Sequence, residues 1–258
     1  MIWEDRIYLL CANEETGQRT TVGLETKTGR ILWQQAFKAD KHKHHKNNSF
    51  ASSTPAVDGD GVYFSWGTPK TLTLLALNHD GKTKWRANLG PVKGGHGFGA
   101  SPIVYHDLVI LSNDQDGISS LLGLDKRTGA VKWKTPRQSK RLTYSAPCLY
   151  KAPGRDEEFI FTNWTHGISG IDPATGKQHW TMDGPTEQFV ASMVFNGKHL
   201  FVTGGFPERH ILAIRPDGHG NITNTHIAWR ANRGAAYVPS PIVEGPYLLV
   251  ISDSGIAS

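Results

Sequence analysis

Gly123-Leu124-Asp125-Lys126-Arg127-Thr128-Gly129-Ala130-Val131-Lys132-Trp133 is the stretch that decides the fold. An apolar strand runs into Asp-x-x-Thr-Gly, where Asp caps a turn and Gly takes the positive φ the turn needs. The return strand ends in Trp, a ring large enough to fill the space between neighbouring sheets. The phrase recurs as Gly23-Leu24-Glu25-Thr26-Lys27-Thr28-Gly29 to Trp33, Ala76-Leu77-Asn78-His79-Asp80-Gly81 to Trp85, and Gly170-Ile171-Asp172-Pro173-Ala174-Thr175-Gly176 to Trp180. A fifth copy begins at Ala213-Ile214-Arg215-Pro216-Asp217-Gly218 and makes a longer turn before Trp229. Successive Trp residues are 52, 48, 47 and 49 positions apart.

A second phrase opens each unit. It reads Ser53-Thr54-Pro55-Ala56-Val57, Ala100-Ser101-Pro102-Ile103-Val104, Ser145-Ala146-Pro147-Cys148-Leu149, Ala191-Ser192-Met193-Val194-Phe195 and Pro239-Ser240-Pro241-Ile242-Val243. Pro suits the first position of a strand. A further β-rich segment follows each opening, as in Leu108–Ser112 and His199–Thr203. Each unit therefore holds four strands, A to D, and four-stranded units at this period are propeller blades. The expected fold class is all-β, a β-propeller of four-stranded antiparallel blades. Its repeats fall at about 3–37, 52–89, 100–136, 145–183 and 191–232, with a partial one at 239–258.

Composition agrees. The 258 residues include 28 Gly, 14 Pro and 25 aromatic side chains, a mix that favours short strands and turns over helices. No run of apolar residues is long enough to span a membrane as a helix, and the first residues do not form a signal peptide. A net charge of +5 is too mild to indicate nucleic acid. The two cysteines, Cys11 and Cys148, pair only if the fold brings them together, and no CxxC suggests zinc.

The phrase pair resembles the quinoprotein-type, or PQQ-like, propeller repeat, whose mark is Ala/Gly-x-Asp-x-x-Thr-Gly-x-x-x-Trp. The resemblance covers nearly the whole chain. Two groups share this repeat: the quinoprotein dehydrogenases, which bind pyrroloquinoline quinone and Ca²⁺, and cofactor-free scaffolds of the BamB type in the bacterial envelope. The resemblance implies a ring of seven or eight blades, of which this chain is expected to be a fragment. The N-terminal unit lacks an opening phrase and is expected to contribute only strands B, C and D.

Alternation of strands places the A–B and C–D turns on one face of the disc. The longer B–C and D–A loops lie on the other, where function usually sits. Basic side chains outnumber acidic ones on those longer loops, whereas the opposite turns carry Asp58, Asp60, Asp107, Asp156, Glu157, Glu158 and Glu244. A basic face attracts anionic partners, and salt weakens that attraction. The most unusual loop is Lys41-His42-Lys43-His44-His45-Lys46-Asn47-Asn48-Ser49. It reads as a solvated linker, as a loop that contacts an anion, or as a metal site built from its three His. His96 sits in the glycine-rich segment 94–99, expected near the axis. Asp114, Gln115 and Asp116 offer oxygen ligands of the kind Ca²⁺ prefers, without the full spacing of an EF-hand. Asn163 and His166 hold the equivalent place one blade on, and Arg209 one further. Candidate ligand-binding residues are therefore His44, His45, Asn48, His96, Asp114, Gln115, Asp116, Asn163, His166 and Arg209.

No GxSxG elbow, HExxH or P-loop occurs. The quinoprotein reading implies an adjacent cysteine pair and a carboxylate-and-amide set for Ca²⁺. Cys11 and Cys148 are single, and no such set can be placed. The expectation is a non-enzymatic binding or scaffold propeller of the periplasm or envelope, monomeric and without a cofactor. Its loop face would hold a protein segment or an anionic ligand. The alternatives are an oxidoreductase using pyrroloquinoline quinone and Ca²⁺, and a metal- or polysaccharide-binding module.

Overall fold

A computed structural model of the chain describes residues 1–156 and 158–258. Its strands form successive sheets that are antiparallel meanders in chain order, apart from one strand of the fifth unit added in parallel to the fourth sheet. The first blade comprises β1 (Ile2–Trp3), β2 (Arg6–Ala12), β3 (Arg19–Glu25) and β4 (Ile31–Phe37). The second comprises β5 (Ala56–Asp58), β6 (Gly61–Gly67), β7 (Leu72–Leu77) and β8 (Thr83–Asn88). The third holds β9 (Ile103–Tyr105), β10 (Leu108–Asn113), β11 (Ser119–Asp125) and β12 (Val131–Arg137). The fourth holds β13 (Cys148–Lys151), β14 (Glu158–Trp164), β15 (Gly167–Ile171) and β16 (Gln178–Asp183). In the fifth, β17 (Val194–Phe195), β18 (Leu200–Gly204) and β19 (His210–Ile214) are followed by β20 (Gly220–Asn221) and β21 (Ile227–Ala231). The hairpin of β22 (Ile242–Glu244) and β23 (Tyr247–Leu249) begins a sixth. No described residue is helical, and no helix is long and apolar enough to cross a membrane. The fold is the partial β-propeller that the two phrases imply.

One expectation is corrected. The first blade does have an A strand, because Ile2–Trp3 pairs with Arg6–Ile7. Glu4, at φ 52°, makes the tight turn between them. Backbone bonds between Met1 and Tyr8 close the hairpin at 3.0 and 2.8 Å. The third blade makes the same two-residue A–B turn through His106, at φ 48°. The longer turn of the fifth repeat also has a structural use. Its β20 leaves its own blade and pairs in parallel with β16, covering the outer edge of the fourth blade.

The signature residues make the joints between blades. On strand C the small residue lies directly across from the Trp of strand D, as Gly23 with Trp33, Ala76 with Trp85, Gly123 with Trp133 and Gly170 with Trp180. At Gly123 a Cβ would stand 2.2 Å from the Trp133 ring, so this position leaves room for the indole. The indole then reaches the next blade. Trp33 donates to the carbonyl of His79 at 2.8 Å, Trp85 to Lys126 at 2.8 Å and Trp133 to Pro173 at 3.1 Å. The turn glycine it packs on, Gly129 for Trp85, has φ 76° and no space for a side chain. Asp125 closes its turn by accepting bonds from the backbone N–H of Arg127 and Thr128 and from the Thr128 hydroxyl. These bonds hold its carboxyl down at about 2.

Between blades the cores are apolar. Tyr63, Leu74, Val109 and Leu122 belong to one cluster joining the second and third blades. Phe161, Trp180, Val202 and Leu212 belong to another joining the fourth and fifth. Each such side chain contributes about 1.5–3 kcal/mol by leaving water. Near the axis a second joint appears. The N–H of Thr54 donates to the Ser101 hydroxyl at 2.9 Å, and that of Ser192 to the Ser240 hydroxyl at 2.9 Å. The Ser of the opening phrase is thus a latch between adjacent inner strands. The third copy has Ala146 there and cannot supply one.

Candidate functional site

The meander order puts the D–A connections on one face, and all five of them contribute to a single cavity of about 420 Å³. The first connection supplies His45, Asn47, Asn48, Ser52 and Thr54. His96, Gly99 and Ser101 come from the second, and Tyr144 from the third. The fourth adds Gln188, Val190 and Ser192, and the fifth Tyr237 and Val238. The cavity is therefore the mouth of the central funnel. None of its lining residues is Asp, Glu, Lys or Arg.

The histidine-rich loop owes its shape to partners outside it. Phe50 is buried, with Arg19 stacked on its ring at 4.5 Å and the rings of His42 and His44 at 4.8 and 4.6 Å. Burial pushes the Arg19 guanidinium down to about 10, with Glu14 opposing the shift. Arg19 also donates to the Gly17 carbonyl. Glu14 ties the loop to the first blade, meeting His44 Nε2 at 3.0 Å and accepting the Phe50 N–H at 3.3 Å. Burial also lowers the pKa of His42, which reaches the Asp40 carbonyl at 3.0 Å through Nδ1.

The loop tip crosses to the next connection. The His45 N–H donates to the His96 carbonyl at 3.1 Å, and Asn48 Nδ2 donates to the same oxygen at 2.7 Å. The two imidazoles lie 5.2 Å apart, tilted by 32°. His45 Nδ1 accepts the Asn47 N–H at 3.2 Å, so in the neutral ring the proton sits on Nε2. The three loop histidines thus face different partners. Among the described residues no three His, Cys, Asp or Glu are grouped to hold a metal ion.

Of the ten candidates, His45, Asn48 and His96 line the funnel, while His44 staples the loop behind it. Arg209 pairs with Asp253 at 3.5 Å and lines an adjoining cleft of about 540 Å³ with Asn47 and Tyr237. Asp116 and His166 are exposed, the latter at a turn with φ 54°. Asp114, Gln115 and Asn163 are buried and committed elsewhere. Asp114 Oδ2 accepts from Arg137 and from Thr143, both at 2.8 Å. Arg137 also donates to the Asn163 carbonyl at 2.9 Å and the Thr162 hydroxyl at 2.8 Å. This pair joins the third blade to the fourth. Gln115 accepts the Lys93 N–H at 2.7 Å, and Asn163 Oδ1 accepts from the Ser145 hydroxyl at 2.7 Å. Cys11 and Cys148 are both free.

Sequence reasoning missed Tyr144, Gln188 and Tyr237, along with the serine latches. Tyr144 and Tyr237 each stand shortly before an opening phrase, at Tyr144-Ser145-Ala146-Pro147 and Tyr237-Val238-Pro239-Ser240-Pro241. Their offsets from the following innermost strand differ, so no common spacing marks them.

Around the funnel the face is basic. Lys41, Lys43, Lys46, Lys140 and Arg233 are exposed and pair with no acid among the described residues. Lys38, Lys41 and Lys70 line an open cleft of about 730 Å³ beside the first loop, where Lys70 meets Asp40 at 2.6 Å. On the opposite face several acids are spent within the fold. Asp58 and Asp60 both meet Lys126 at 2.7 Å, and Asp80 meets Arg6 at 3.2 Å. Glu157 lies outside the described residues.

The comparisons agree with this architecture. The family described as outer membrane protein assembly factor BamB matches residues 4–148, and the chain belongs to that family. Among solved structures it is similar to BamB from Moraxella catarrhalis, at 14% identity and a TM-score of 0.60, over 98% of this chain and 80% of that one. It is also similar to quinohemoprotein alcohol dehydrogenase from Comamonas testosteroni, at 13% identity and a TM-score of 0.60, over 96% of this chain and 62% of that one. A europium-containing methanol dehydrogenase matches at 14% identity and a TM-score of 0.56, over 83% of this chain and 48% of that one. At these identities the shared property is the fold. A search of curated proteins finds no match.

Proposed function

We propose that this chain is a non-catalytic binding propeller of the bacterial envelope, which holds an anionic protein segment or ligand on its D–A loop face. The observation that carries the reading is a rim of unpaired Lys and Arg around a funnel whose own wall bears no charged lysine, arginine or carboxylate. Attraction at the rim steers an anionic partner toward the funnel. Membership of the BamB family supports the envelope location and the scaffold role.

The quinoprotein neighbours raise the question of a bound quinone and Ca²⁺. The residues present do not fit that pair. Ca²⁺ takes several oxygen ligands, chiefly carboxylates, and the funnel wall offers no carboxylate. Asp114, the buried carboxylate nearest in type, is held by Arg137 and Thr143.

Fluorescently labelled poly-L-glutamate, titrated at low and at high salt, tests the proposal. Saturable binding that weakens as salt rises is expected. Absence of binding at low salt overturns it. So does substrate oxidation by the chain after incubation with the quinone and Ca²⁺.

A further inference from the structure

From the chemistry of the funnel wall we infer that the cavity is a binding site for a neutral carbohydrate, one end of a glycan chain seated among the D–A loops. The inference rests on the reading of this face as a binding face and names what its centre takes, as distinct from its rim.

The cavity, at about 420 Å³, falls within the range of small-molecule sites. Its wall is a ring of hydroxyls and amides: Ser52, Thr54, Ser101, Ser192, Asn47 and Gln188. A hydroxyl both donates and accepts, and an amide offers one of each kind of group. Such a wall matches a ligand that is itself made of hydroxyls. Two aromatic rings, Tyr144 and Tyr237, supply the flat apolar surfaces on which the C–H face of a sugar ring packs. Charged groups, which would select an ionised ligand, are confined to the rim.

One further observation points to a ligand with free hydroxyls. His45 holds its neutral-form proton on Nε2 because Nδ1 already accepts from Asn47, so its ring presents a donor rather than a metal ligand.

A peptide strand fits the wall less well. Part of the inner backbone is already occupied, because the N–H groups of Thr54 and Ser192 are bonded to Ser101 and Ser240. The wall contributes only two aliphatic side chains, Val190 and Val238, as an apolar anchor site.

The test uses maltose, cellobiose and N,N′-diacetylchitobiose as probes, followed by ligand-detected NMR and titration against the purified chain. At least one should bind saturably in the millimolar range or tighter. Thr54→Val keeps the shape of an exposed wall side chain and removes only its hydroxyl, so it should fold normally and weaken that binding about five- to tenfold. Tyr237→Ala should abolish it. A Lys41→Glu, Lys43→Glu, Lys46→Glu variant should retain it within about twofold while losing affinity for poly-L-glutamate. If none of the three sugars binds, or if Thr54→Val leaves the affinity unchanged, the inference is overturned. Retained polyglutamate binding in that case leaves the basic-face reading standing. Sugar binding without polyglutamate binding refutes only the basic-face reading.

Discussion

Removing the Asp114 carboxylate tests whether this residue is a joint or a ligand. The Asp114 and Arg137 side chains are 0% and 3% exposed, and their ion pair measures 2.8 Å. Burial pushes the Asp114 carboxyl up from its ordinary value, opposed by the Arg137 charge and by the bonds from Thr143 and Arg137. Asp114→Ala leaves the guanidinium buried without its anion. Breaking a buried pair in this way costs about 3–5 kcal/mol. At about 2–4 °C per kcal/mol for a chain of this size, the melting temperature should fall by roughly 6–20 °C. Circular dichroism melts and urea midpoints measure the loss. A double variant, Asp114→Leu with Arg137→Met, removes both charges and should recover most of it, giving a large coupling energy in the cycle. Polyglutamate affinity of Asp114→Ala, measured well below its melting point, should match the wild type, because Asp114 does not line the funnel. A loss below about 1 kcal/mol, the scale of ordinary surface substitutions, would refute the assignment of this pair as the joint between the third and fourth blades.

Other expectations follow from the same geometry. Trp85→Ala should cost about 3–5 kcal/mol, because the ring is 8% exposed and bonded to the next blade, whereas Trp229→Ala, at 41% exposure, should cost about 1 kcal/mol or less; equal losses in urea denaturation would contradict the joint. The Asp125 carboxyl should titrate at about 2 by carbon-detected NMR. Since its folded pKa lies below the unfolded value, its contribution to stability is present above about 4 and is lost as pH falls towards 2; a midpoint at the ordinary carboxylate value would show that the turn is open. Burial pushes the Cys148 thiol up to about 11, while Cys11 is exposed, so at pH 8 a thiol reagent should label Cys11 fast and Cys148 slowly. Two equally fast thiols would argue against the packing of β13.

The fold was legible because its signature residues act locally and repeatedly. Asp125, Gly129 and Trp133 each have a reason within a dozen residues, and the same reason returns at Asp172, Gly176 and Trp180. Repetition separates such a signal from chance. The short A strand Ile2–Trp3 was not legible, since two residues and a turn through Glu4 carry no periodicity. The site was legible only by loop. Segment 38–51 and segment 94–99 do meet, through His45, Asn48 and His96. Which side chains within a loop face the funnel depends on contacts distant in sequence. Asp114 and Asn163 read as free ligands from their turns, yet Arg137, from the strand that follows β11, reaches both. Tyr144 and Tyr237 were passed over because single tyrosines carry no motif.

The central claim is that the D–A loop face, and not its opposite, binds. Charge reversal on each face measures this directly, with labelled poly-L-glutamate as probe at low salt. One variant carries Lys41→Glu, Lys43→Glu and Lys46→Glu on the funnel face. The other carries Lys27→Glu, Lys177→Glu and Lys198→Glu on exposed turns of the opposite face. The predicted result is loss of binding in the first variant and affinity within about twofold of the wild type in the second, where Coulomb effects across the disc are screened. Equal losses in both variants, or a loss confined to the second, would contradict it.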